Sequence, residues 1–193
     1  MSDRTPFETL ADAAERYGEL SLENYARIRS LAERISAGFC GYLRGNSPHR
    51  CCYLVPPEGN WAPADFRSGA FSVSGMRFLP LGPIQFGLAV RVSRTGDWMR
   101  LVLTAAKNGE AMDVHVAQGE TYTFSMPLDD AEMTAFFAHL HSHLVDFFED
   151  QSRHYEHGEY GGGGGIGFDF MEAGAERDSA PDTDEMPPRA KGG

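Results

Sequence analysis

Hydrophobic residues take every second position along four successive stretches of this chain. Phe86, Leu88, Val90 and Val92 alternate with Gly87, Ala89, Arg91 and Ser93, and Met99, Leu101, Leu103 and Ala105 alternate with Trp98, Arg100, Val102 and Thr104. Met112, Val114 and Val116 follow, set off by Asp113 and His115; then come Tyr122, Phe124 and Met126, set off by Thr121, Thr123 and Ser125. A period of two marks strands with one face turned to a core. The connections carry Thr95-Gly96, Asn108-Gly109 and Gln118-Gly119, and Asn-Gly between alternating runs is a strong hairpin signal. Connections this short join antiparallel neighbours, so the reading is a meander.

On either side the period changes to that of a helix. Thr5-Pro6-Phe7-Glu8 is a capping box with proline at the first helical position. Phe7, Leu10, Ala14 and Tyr17 follow helical spacing up to Gly18, and Ile28, Leu31, Ile35, Phe39 and Tyr42 form a second stripe behind Ser21. The expectation is two helices, 6–17 and 21–43. After the meander, Asp129 or Asp130 caps a helix running to about Gln151, with Met133, Phe137, Leu140, Leu144, Phe147 and Phe148 on one face. That face is expected to cover the apolar side of the sheet. Residues 51–57 read as a short strand, 58–70 as loop, and 71–83 as one strand ending near Pro80.

Behind Tyr155 the periodicity stops, and "YGGGGGIGFDF" leads into an acidic, proline-containing segment. The division is therefore an N-terminal helical segment over 1–45, an α+β domain over 46–157, and a Gly-rich linker with an acidic disordered tail over 158–193. The fold class expected is α+β: an antiparallel β-meander, N-terminal helices, and a C-terminal helix packed on one face.

Charge adds an asymmetry. The formal net charge is −11. Residues 44–107 nevertheless hold eight basic residues against three acids, and the rest of the chain beyond them is strongly acidic. Three cysteines, Cys40, Cys51 and Cys52, show no CxxC spacing and do not resemble the framework of a secreted disulfide scaffold. The N-terminus lacks the apolar segment of a signal peptide, and no run has membrane-spanning length, so a cytoplasmic protein without membrane contact is expected.

The polar face of the meander raises the functional question. "FGLAVRVSRTGDWMRLVL" pairs an aromatic-led strand with a glycine, an aromatic and a basic residue. "YTFSMPLDDAEMTAFFAHLHSHLVDFFED" runs a last strand straight into a capped, aromatic helix. In these two features residues 84–150 resemble the purine-rich-element-binding (Pur) and Whirly-like proteins, which build four antiparallel strands and a helix. The resemblance implies single-stranded DNA or RNA binding on the sheet and pairing through the helices. The four-strand unit occurs once here, so a homodimer is implied. Arg91, Trp98 and Arg100 would neutralise phosphate and stack on bases, with Arg77 and Arg94 adding charge and Thr121 and Thr123 adding hydrogen bonds to phosphate. Asp113 lies on the same proposed face.

Other readings compete. Residues 51–80 can supply a second, thinner layer over Arg91, Trp98 and Arg100, with Tyr53, Trp61, Phe66 and Phe71 available to build it. An acidic adaptor or chaperone-like dimer, working through an apolar patch and a tail that docks a protein partner, suits the overall charge better. His139, His143, Asp146 and Asp150 recur at helical spacing, but a solvated helix face accounts for them without a metal. Cys40, His49, Cys51 and Cys52 match no standard zinc spacing. No GxSxG, P-loop or dinucleotide fingerprint is present, so no enzyme, metal or cofactor is expected.

Overall fold

The computed structural model describes residues 4–45, 49–73, 78–158 and 168–170. The fold is α+β. One long helix, α1 (Pro6–Arg44), precedes β1 (Cys52–Val55), β2 (Ile84–Arg91), β3 (Trp98–Asn108), β4 (Ala111–Val116) and β5 (Thr121–Phe124); α2 (Asp130–Glu156) and a short β6 (Phe168–Phe170) close the order. The five strands lie side by side in chain order, β1-β2-β3-β4-β5, and every pairing is antiparallel.

Two helices are expected at the N-terminus and one is found. The capping box forms: Glu8 N donates to Thr5 Oγ1, and Thr5 N donates to Glu8 Oε2. Gly18 costs such a helix only about 1 kcal/mol relative to alanine, and the stripes on its two sides are in phase. Ser21 does not cap a new helix; its hydroxyl donates back to Gly18 O at 2.9 Å. From Ser21 to Phe39 the stripe is buried. Before Ser21 the same face touches Phe78 and Leu79 through Tyr17 and then runs bare to its start, with Leu10 67% and Phe7 76% exposed.

The strand expected over 71–83 is not formed by its described residues. Phe71 makes a single antiparallel bridge to Phe86. Ser72 then ends the pairing, because its side-chain Oγ takes the hydrogen bond of Gln85 N. The meander strands stand where the alternation puts them. Cys52 pairs with Val90, Leu88 with Leu101, Leu103 with Val116, and Val114 with Tyr122. Directly paired residues share a face. One face therefore carries Leu54, Phe86, Leu88, Val90, Met99, Leu101, Leu103, Val114, Val116 and Phe124, and α1 and α2 both pack against it in one core. The N-terminal segment thus shares its core with the strands and α2.

α2 starts at the expected cap, Asp129, and runs beyond the expected end near Gln151, to Glu156. Phe136, absent from the expected stripe, is fully buried against Phe124 and Tyr122, whereas Phe148 stays more than a third exposed. The helices approach closely where a Cβ on Gly38 would lie 2.5 Å from the Phe137 ring. His143 packs over the turn between β4 and β5, near Gly119. Burial lowers its pKa; neighbouring His139 acts in the same direction and Asp146 opposes. Above about pH 6.5 the ring is neutral in folded and unfolded chains alike. Below that, the unfolded chain binds the proton more readily, so stability falls as pH drops towards the folded-state pKa. The melting temperature should fall between pH 7.5 and 5.5, and His143→Gln should flatten part of that slope in a thermal-melt series.

The tail expectation for 158–193 falls mostly outside the described residues. Within it, Phe168–Phe170 corrects the expectation, because it forms β6 on β3. No helix among the described residues is long and apolar enough to cross a membrane.

Candidate interaction surfaces

The second face of the sheet holds the residues singled out above. Arg91 pairs with Trp98, Ala89 with Arg100, Thr104 with His115, His115 with Thr121, and Asp113 with Thr123. The pleat thus puts Arg91, Trp98, Arg100, Thr121 and Thr123 on one side, opposite the helices. They are not one cluster. Trp98 and Thr121 are separated by six residues along β3 and two strand spacings, roughly 20 Å.

Arg100 is not offered to solvent. It is 6% exposed. Its Nη1 donates to Pro56 O and to Gly59 O, each at 3.0 Å, and its Cζ lies 5.6 Å from the Trp61 ring centroid. The chain after β1 folds back over this half of the sheet. Trp61, Val55 and Ala89 form a small second core, with Tyr53, Phe66 and Trp98 packed around it. A cationic group is tolerated in such a place only when its donors are satisfied. Close approach of the cover needs Gly87, where a Cβ would lie 2.8 Å from both Val55 O and Pro56 O. Of the four aromatics available for a cover, Tyr53, Trp61 and Phe66 contribute to it. Phe71 turns to the main core beside Phe86 and Tyr25.

Arg91 is half-buried and tied to the hairpin, with Nε donating to Ser93 O and Nη2 to Arg94 O. Ser93 and Thr95 hydroxyls both donate to the Asp97 carboxylate, which lowers its pKa. Trp98 is half-buried, its ring 5.5 Å from Tyr53. Arg94 is exposed. With Arg44 and Arg91 it lines a cleft of about 430 Å³ between the end of α1 and the β2–β3 hairpin. At the far edge Thr121 and Thr123 are exposed. Thr123 Oγ1 donates to Asp113 Oδ1 at 2.7 Å, Asn108 Nδ2 donates to Asp113 Oδ2, and Thr121 Oγ1 lies 3.2 Å from His115 Nδ1. Arg77 lies outside the described residues.

The cysteines join the end of α1 to the start of β1. Cys40 and Cys51 form a disulfide, and Cys52 is a buried free thiol whose pKa burial pushes up to about 12. These three are the one group of three potential metal ligands found among the described residues. With Cys40 and Cys51 joined in the disulfide, neither offers a thiolate, the form that binds metal.

Two features had little signal in the sequence. The cover hangs on backbone carbonyls at 56 and 59, which no residue type announces. β6 is three residues long, and its pattern Phe-Asp-Phe is too short to separate from loop. Compared with protein-family models, with curated proteins and with solved structures, the chain matches none of them.

Proposed function

We propose that this chain is a non-enzymatic protein-binding adaptor that self-associates through the first half of α1. The observation that carries the reading is the continuity of the α1 stripe. A face that is core from Ser21 onward, and is touched at Tyr17 by Phe78 and Leu79, runs on bare through Leu10 and Phe7. Pro6–Leu20 spans about 22 Å at helical rise. An amphipathic face of that length left in water is the kind of surface that another helix covers. The partner that suits it is the same stripe on a second copy, laid antiparallel. The net charge of −11 also favours a protein over a polyanion.

Sedimentation equilibrium of the full chain tests the reading. Wild type should dimerise in the micromolar range, and Phe7→Glu with Leu10→Glu should remain monomeric with an unchanged melting temperature. A wild-type chain that stays monomeric across that range removes the self-association proposal.

A second reading keeps the single-stranded nucleic acid. Its support is the cleft shared by Arg44, Arg91 and Arg94, together with the half-buried Trp98, which is paired with Arg91 in the ladder and packs on Tyr53. Arg100 lends it little, since its guanidinium is engaged by Pro56 and Gly59. Anisotropy of a labelled single-stranded oligonucleotide decides: binding that weakens steeply with salt and is lost in Arg91→Glu with Arg94→Glu supports it, and no binding at low salt ends it.

A further inference from the structure

We infer that the edge of β3 at Met99–Leu101 is a strand-addition site for an extended aromatic–acidic–aromatic segment, and that Phe168–Phe170 of this chain is its resident occupant. The inference rests on the protein-binding reading but concerns a surface other than α1.

β3 is eleven residues long, and its neighbours on one side are used unevenly. β2 accompanies it from Trp98 to Ala105. On the other side β4 begins pairing at Leu103 and leaves the first turns of the ladder without a partner from the meander. Exposed N–H and C=O groups on such an edge are a template for another strand. β6 occupies that place, with Met99 opposite Phe170, Arg100 opposite Asp169 and Leu101 opposite Phe168.

The register supplies the specificity. Positions 99 and 101 belong to the helix side and are buried there, so an incoming strand meets apolar surface at its first and third residues. Phe170 lies 6.3 Å from the Phe148 ring of α2 and stays 48% exposed. Between them, the ladder sets an acidic position of the occupant against Arg100, the buried cation of the opposite face. Main-chain hydrogen bonds provide affinity in such a complex, and alternate side chains select the sequence. The occupant is short, and its Phe170 is only partly covered. A partner strand of the same alternation that continues the ladder past Trp98 forms more backbone bonds than three residues can, and displaces it.

Occupation by the chain's own segment is within reach. Nine residues, 159–167, separate Gly158 from Phe168, and nine extended residues span up to about 30 Å.

The test uses the full chain and its Phe168→Glu, Phe170→Glu variant, with a fluorescent synthetic peptide of residues 166–172 as probe. Backbone directions alternate along β3, so the Arg100 N–H faces β6 while those of Met99 and Leu101 face β2; the Arg100 amide should exchange with deuterium at least about tenfold faster in the variant. The probe should bind the variant and bind wild type at least tenfold more weakly, and a probe carrying lysine at its aspartate position should lose affinity. A variant that leaves exchange at the Arg100 amide unchanged, or does not bind the probe, overturns the inference. A wild-type dimer that dissociates in this variant assigns the occupant to a second copy and overturns occupation by the same chain. The α1 comparison, Phe7→Glu with Leu10→Glu, is read separately, so failure of one surface does not count against the other.

Discussion

Phe136→Ala should lower the unfolding free energy by about 3–5 kcal/mol, the range for emptying a buried aromatic site. The ring is fully buried, 5.1 Å from Phe124 and 5.2 Å from Tyr122, at the junction of α2 with the last strand. Its neighbours belong to a strand and a helix joined by a short connection, so little collapse can refill the space. Phe148→Ala, one face away and partly exposed, should cost under about 1 kcal/mol. Urea unfolding of the two variants measures the difference. Equal effects would mean that α2 is rotated from the orientation described.

Arg100→Met should cost about 3 kcal/mol. Methionine keeps most of the side-chain volume but loses the hydrogen bonds to Pro56 O and Gly59 O, and hydrogen bonding by a charged group contributes roughly 1.5–3 kcal/mol. Arg100→Lys should recover part of the loss, since an ammonium cannot reproduce the planar fork of a guanidinium. Arg94→Met, on an exposed residue of the neighbouring turn, should stay within about 0.5 kcal/mol. The second readout is the emission of Trp61, which should shift to the red in Arg100→Met as the cover loosens. A change below about 1 kcal/mol with unshifted emission would show that the cover does not depend on Arg100.

These two positions also separate what the sequence discloses from what it does not. The meander is legible because a strand half in a core must alternate, and Phe86 to Phe124 alternate through four runs. The helix side of the sheet follows from the same alternation, and so does the common face of Arg91, Trp98, Arg100, Thr121 and Thr123. Alternation says which face a residue takes; it does not say what lies over that face. Arg100 reads like a surface cation, because nothing in its own strand records that carbonyls some forty residues earlier return to it. The expected stripe of α2 is buried at Met133, Phe137, Leu140 and Leu144, and Phe136 is missed for a related reason: how far the buried face widens beside that stripe depends on where β5 and α1 sit. Gly18 misleads because a glycine that ends a marginal helix only dents one whose flanking stripes are in phase. The start of the 71–83 segment has strand composition, but the hydroxyl of Ser72 closes the ladder after one bridge.

The single hydrogen at Gly87 has a further bearing on this molecule. Two carbonyl oxygens lie where any other residue would carry its first carbon, so alanine there acts as a wedge driven between β1 and β2. The loop that shields Arg100 would be levered away. A change of one methyl group would thus turn a shielded guanidinium into an open one, altering what the protein attracts.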